Sequence, residues 1–471
     1  MGEMGFVRAL NLRDGRPARG TPPAERCVHG NPACTWPSRV SRRRGAASLR
    51  RALVVAAAFG AAALTSAQGF PEREAWYADL AFLAQTIRER HPEPYRWTSA
   101  VHFDEIVAQA RGGIAAAASR AEAELELARV AAAVGDGHTN VRPWERYALL
   151  PLRWAWFGDE LRVTAAPAAQ RELLGLRVAT IGALPLATAR ARVQAYIAQH
   201  ESPAFERNWS PYLLRMAEVL AGIGGARSGE PVVVGFLDEA GTPRRVALVP
   251  VSRADDAATP LTRPYATPPL SARAPDEPFW FERSEGTGVV YVSFAGYPAR
   301  ERFVELAQRL VHELEAPGVT AVLFDLRQNG GGDLKLGRRF IEFVRPTIVG
   351  RALRVYVAIG RGTYSAGMAN ATDFRKAFGA TYVGETSGAR PNGFQESGAF
   401  VLPASGLPGS VAREYYRFQE VDTDGLVPDV PVPWTWGDYA AGVDAVIAHV
   451  TGAERDRTGR EGAAAAPAGP R

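Results

Sequence analysis

LRVYVAIGRGTYSAGMANATDFRKAFG, residues 353–379, sets a β-rich apolar run against a helical one, with a corner of small residues between them. Strand, turn and helix in that order is the unit from which parallel sheets are wound. Ser365 stands at the corner, and a serine there has two jobs open to it. It can accept from the N–H groups of the helix it opens, as an N-cap. Or it can be a nucleophile exposed at a strand–turn–helix bend, with the N–H of Ala366 aimed at a developing oxyanion near the positive helix end.

The alternation extends on both sides of the corner. GVVYVSF is followed by RERFVELAQRLVHELE, AVLFDL by LKLGRRFIEFVR, and the helix after Ser365 by TYVGE. Residues 280–451 therefore read as an α/β sheet with crossover helices, and ligands of such sheets bind beyond the carboxyl ends of the strands. Upstream, residues 68–148 read as helical, with apolar residues at three- and four-residue spacing. Residues 149–252 read as β-rich. LLPLRWAWFGDELRVTAA predicts a hairpin around GDE, and PVVVGFLDEAGTPRRVALVPV predicts two strands joined by a glycine turn. A helical segment, FERNWSPYLLRMAEVLAG, interrupts them. That order suits a diverged PDZ-like peptide-binding module and a plain β-rich spacer equally. Residues 253–279 read as a polar, proline-rich linker. Residues 452–471 are rich in Gly, Ala and Arg and read as disordered.

The chain carries a formal charge of +5, but the excess is local. Residues 1–67 hold 11 of the 55 basic residues and 3 of the 50 acidic ones, leaving 44 against 47 beyond them. Nucleic-acid binding thereby loses its main support. The leader has the parts of a secretory signal over about residues 40–67. SRRRGAASLRR is positive, ALVVAAAFGAAAL is a short apolar run, and TSA places small residues before Gln68. The expected product is exported, periplasmic or secreted, with no membrane span once the signal is removed. Residues ahead of the signal read as unstructured, and initiation at Val40 would put the signal at the front. Cys27 and Cys34, the two cysteines, fall in this leader, so disulfide and thiol chemistry are not expected beyond it.

Two further loops carry chemistry. RQNGGGD, residues 327–333, follows AVLFDL directly, and its glycines let backbone N–H groups approach a bound atom. It is either an anion cradle or a flexible strand-to-helix turn; the lysine of a phosphate-binding loop is missing. GDGHTN, residues 135–140, puts His138 in a polar turn rather than on an apolar face. HExxH and comparable ligand clusters are absent, so neither metal nor another cofactor is expected.

DLRQNGGGD, GTYSAGMANA, VGETSGARPNG and GLVPDVPV occur in that order, with GDGHT upstream. Together they resemble the tail-specific (C-terminal processing) serine protease family. The similarity covers most of residues 71–450 and is clearest over 287–432. It implies a crotonase-like (ClpP/crotonase) catalytic core, with the helical N-terminal region and a PDZ-like module. It implies Ser365 as nucleophile, an oxyanion hole from Ala366 N–H with Gly330 or Gly331 N–H, and a polypeptide substrate.

One branch of the family takes a lysine about 25 residues beyond the serine as its base. Here that stretch holds Arg390, which stays protonated. The chain's two lysines are Lys335 and Lys376, and Lys376 lies about 16 Å along the helix from Ser365. The tricorn-like branch instead uses the histidine of a GDGHT-like segment, which is His138; a neutral imidazole can accept the serine proton. The resemblance places the acid just before G-x-x-P-D, where EVDTDGLVPD offers Glu420, Asp422 and Asp424, with Asp422 favoured by spacing. It also places a relay serine before the histidine, where this chain has Gly137. Asp136 reads as part of the turn. Arg390 and Asn392 are expected either to hold substrate or to shape their loop. The expected activity is a serine endopeptidase working through an acyl-enzyme. A catalytically silent ligand-binding protein on the same fold and a serine esterase are the alternatives. Sequence leaves the oligomeric state open.

Overall fold

The computed structural model describes residues 73–464, with side chains to residue 458. The leader, its signal segment and both cysteines lie outside the described residues. The first three helices are α1 (Arg73–Arg90), α2 (Ala100–Ala116) and α3 (Arg120–Ala132). Ser99 and Ser119 cap the second and third, each accepting from a backbone N–H of the first turn.

One sheet has six strands: β1 (Phe279–Ser284), β2 (Val289–Phe294), β3 (Ala321–Asp325), β4 (Arg354–Ile359), β5 (Thr381–Gly384) and β6 (Val430–Pro431). They lie side by side in chain order, parallel from β2 to β6, with β1 antiparallel on the edge. Between them run α4 (Arg300–Glu315), α5 (Leu334–Gly350) and α6 (Ala366–Phe378). A strand covered on both faces must be apolar at every position, and VVYVSF and AVLFD are buried throughout. Val290, Val292, Val322 and Phe324 point to the face packed by Phe303, Phe340 and Phe374 of the three crossover helices. Val289, Tyr291 and Leu323 point the other way, onto Val446, Ile447 and Val450 of the last helix, α7 (Ala445–Ala464). The period-two alternation of side chains thus builds a three-layer stack.

That last helix corrects the disordered tail expected from residue 452. The segment through Ala464 is helical because it has something to hold. Asp444 accepts from the N–H groups of Val446 and Ile447 at 3.1 Å each and takes Arg327 at 2.6 Å. Ten residues on, Glu454 is 1% exposed and bonded by Arg354 and by Tyr356 Oη. Residues 465–471 lie outside the described residues.

Residues 149–252 form an antiparallel sheet of five main strands. The hairpin around GDE pairs Arg153–Phe157 with Glu160–Pro167, and Val232–Leu237 pairs with Pro243–Leu248. Its inward side chains share one continuous core with the six-stranded sheet and its helices. The segment read as a linker is also tied down. Asp256, on a short helix Arg253–Ala258, is buried between Arg153 (2.8 Å) and Arg215 (2.7 Å).

A long hairpin, Asn392–Val401 with Pro408–Arg417, is an element the sequence pattern did not reveal. Phe400, Leu402, Leu407 and Val411 near its tip join the core of α1–α3. Its second strand pairs with Asn140–Val141, Asn140 opposite Ser410. No described helix is long and apolar enough to cross a membrane, and the described residues contain no cluster of ligating side chains suited to a metal.

Candidate active site

Ser365 sits immediately before α6 in the N-cap position, yet its side chain caps nothing. Its backbone lies at φ 50°, ψ −126°, a conformation that glycine accepts and other residues resist. The corner is held in this shape by its neighbours. Thr363, fully buried, accepts from Gly360 N–H and donates to Leu326 O at 2.8 Å. Tyr364 N–H donates to Asn329 O at 2.9 Å. A Cβ on Gly367 would fall 2.3 Å from that same carbonyl, so only glycine lets the first helical turn close onto the loop.

That loop is RQNGGGD, running from the end of β3 to α5. Asn329, fully buried, bolts it down through Nδ2 to Phe294 O (2.9 Å). Its Oδ1 accepts from Gly331 N–H at 3.0 Å. The sequence left Gly330 and Gly331 as alternative oxyanion donors, and the Gly331 N–H is committed to Asn329. Gly331 has a packing role instead. At φ 107°, a Cβ there would stand 2.7 Å from Ser365 Cβ.

His138 arrives from the end of the helical region. Asp136 Oδ1 accepts from His138 N–H (3.0 Å) and Thr139 N–H (2.8 Å), fixing the turn. Its other oxygen meets His91 Nε2 at 3.0 Å, with both side chains buried. Because His91 Nδ1 accepts from Glu93 N–H, the His91 proton is on Nε2, facing Asp136. The long hairpin completes the hold: Ser410 Oγ donates to His138 O at 2.7 Å. So held, and 1% exposed, His138 puts Nε2 at 3.0 Å from Ser365 Oγ. The structure brings the predicted serine and histidine together across 227 residues of chain.

The predicted acid is elsewhere. Asp422 is exposed and accepts from Asn392 Nδ2 at 2.6 Å. Asp424, also exposed, pairs with Arg390 at 2.6 Å, and Glu420 lies exposed in the same surface stretch. All three stay out because residues 417–424 run over the surface before Leu426 turns inward. Asp422→Ala is accordingly expected to change kcat by less than about threefold, where loss of a base-orienting acid costs on the order of 10⁴-fold. Steady-state kinetics of that variant is the check.

Arg390 and Asn392 are both bonded within the protein. The Arg390 Nε donates to His200 O at 2.6 Å, and Asn392 Oδ1 accepts from Phe418 and Gln419 N–H. Two residues that sequence reasoning did not weigh stand behind the histidine. His138 Nδ1 is 3.0 Å from Tyr364 Oη, which is 3.3 Å from Glu201 Oε2. Glu201 also accepts from Gly137 N–H (2.8 Å) and Arg390 N–H (3.2 Å). Burial pushes its carboxyl up to about 7, with Asp136 adding to the rise and the two backbone donors opposing it. Burial, Glu201 and Asp136 push the Tyr364 phenol well above its ordinary value. A signal for both was present: Tyr364 directly precedes the corner serine, and Glu201 precedes the Ser202-Pro203 start of a helix.

No protein-family model and no curated protein matches the chain. Among solved structures, mature CPAF in complex with lactacystin superimposes with a TM-score of 0.57 at 13% identity, over 82% of this chain and 98% of that one. Mature CPAF alone gives 0.58, also at 13%, over 81% and 97%. The chain has the fold of CPAF. At this identity the likeness to CPAF speaks for the fold, and the chemistry rests on the residues themselves. The photosystem II D1 C-terminal processing protease is a looser match, with a TM-score of 0.39 at 15% identity over 79% of this chain and 98% of that one, and adds nothing to it.

Proposed function

We propose that this chain is an exported serine endopeptidase of the tail-specific protease family, in its tricorn-like Ser/His branch. The six-stranded unit would be its crotonase-like core and residues 149–252 its PDZ-like module. The observation that carries the reading is the 3.0 Å contact between His138 Nε2 and the Oγ of a serine held in a strained corner. A ligand-binding protein has no need of a base on that hydroxyl, and backbone strain of this kind is kept where it serves a site.

In this mechanism Ser365 Oγ attacks the peptide carbonyl and its proton passes to His138 Nε2. The oxyanion is met by Ala366 N–H at the start of α6 and by Gly330 N–H from the glycine loop. The imidazolium then protonates the leaving amine, and a water activated by the neutral imidazole releases the acyl group. An esterase would use the same residues, so the substrate class is decided by hydrolysis of peptides beside simple acyl esters.

The test is reaction of the full chain with a fluorophosphonate probe. Ser365 is expected to carry the label, and His138→Ala, folded as judged by circular dichroism, is expected to lose it. A wild-type chain that stays unlabelled, with and without added peptides, would return the choice to the silent binding protein.

A further inference from the structure

We infer that Tyr364 and Glu201 form the arm that orients His138 and supports its charged form, the task that an acid performs in a Ser–His–Asp arrangement. They are positioning residues, and the inference rests on the Ser365–His138 reading above.

Donors and acceptors along the arm fit one assignment. For Nε2 to take the serine proton it must be bare, so the ring proton sits on Nδ1. Nδ1–H then donates to Tyr364 Oη at 3.0 Å, and the phenol donates onward to Glu201 Oε2 at 3.3 Å. Glu201 receives only donors: the phenol, Gly137 N–H and Arg390 N–H. These donors favour its charged form and oppose the rise that burial causes. The Tyr364 ring also stacks on the imidazole, with centroids 5.0 Å apart and planes 20° from parallel. The Phe205 ring packs against the phenol, with centroids 5.1 Å apart.

The arm explains the glycine before the histidine. A Cβ on Gly137 would stand 2.4 Å from Tyr364 Oη and 2.8 Å from Phe205 Cζ. The phenol hydroxyl occupies the volume that a side chain at position 137 would fill, so the hydroxyl beside the histidine comes from residue 364. With the acidic stretch 420–424 on the surface, Glu201 is the buried carboxylate in line with the imidazole.

During attack the Oγ–carbon bond forms, the carbonyl π pair moves to oxygen, and the serine proton goes to Nε2. Nδ1 and the phenol each keep their own proton. No proton travels along the arm; the imidazolium faces the Glu201 charge across one hydroxyl. The groups facing this arm are Asp136 and Gly137 N–H from the histidine turn, and Arg390 from the loop after β5. Arg390 turns its guanidinium to His200 O and Asp424.

The test is the rate of fluorophosphonate labelling at Ser365 between about pH 6 and 9, for the wild type, Tyr364→Phe, Glu201→Gln and the double variant. Each single variant is expected to label the same serine about 10- to 100-fold more slowly. In each, the acidic limb of the profile moves down by about half a unit to one unit, because the imidazolium has lost its support. The double variant should be no slower than Tyr364→Phe. A merely structural role would slow labelling without moving the limb, so an unmoved limb in either folded variant overturns the inference. A wild type that never labels overturns the Ser365–His138 reading and the arm with it. If neither variant folds, nitrogen-15 NMR of the wild type decides, since a neutral His138 protonated on Nε2 contradicts the arm.

Discussion

Ser365→Gly is expected to destroy turnover and make the protein more stable. The nucleophilic oxygen disappears, and removal of one member of such a group costs roughly 10⁴- to 10⁶-fold in kcat. The backbone gains, because φ 50°, ψ −126° is a region that glycine enters freely and serine does not. Relief of that strain is worth about 1 kcal/mol once the added freedom of glycine in the unfolded chain is set against it. Ser365→Ala separates the two effects: it should be as inactive as the glycine variant but without the gain. Kinetics and urea unfolding of the three proteins make the comparison. A glycine variant less stable than the alanine variant would mean that the corner is comfortable as built.

Gly331→Ala is the second large effect, and it acts by displacement. The new methyl would meet Ser365 Cβ at 2.7 Å, Oγ at 3.1 Å and Ala366 N at 3.2 Å. At φ 107° the residue would also be strained in its own right. Pushing the nucleophile and the adjoining oxyanion donor out of line should lower kcat by about 10²- to 10³-fold and change KM far less. Gly350→Ala is the control, since nothing lies within 4 Å of a Cβ at the end of α5. If both variants lose activity equally, the loss reflects folding and not the geometry beside Ser365.

What could be read in the sequence was what local chemistry dictates. A strand, a small-residue corner and a helix announce Ser365; a glycine run after a strand announces the loop beside it; a DGH turn announces His138. Each depends on a few adjacent residues. The acid partner could not be read that way. Glu201 meets Tyr364 Oη and Gly137 N–H because the Pro203–Leu213 helix packs beside the corner, and Ser202, its N-cap, donates to Gly388 O at 2.7 Å. Motif spacing pointed to Asp422, but spacing carries no information on whether a loop turns inward. The long hairpin escaped for a related reason. NGFQESGAFV and PGSVAREYYR mix exposed polar residues with glycines, and the apolar side chains near their tip find partners on the distant α1–α3. The last helix was hidden by composition: Gly, Ala and Arg suggest disorder until Glu454 is seen bonded to Arg354 and Tyr356.

The contact between His138 and Ser365 spans 227 residues, so the pair is assembled only by long-range closure of the chain. Loop closure over such a length is made late in folding, after local strands and helices have formed. The serine corner belongs to the parallel sheet, while the base is delivered by the helical region and the long hairpin that clasps it. A chain whose sheet has folded but whose helices have not yet docked holds a serine without a base. Under the proposed mechanism, hydrolytic power would therefore depend on completed tertiary structure, since the serine corner alone lacks its base.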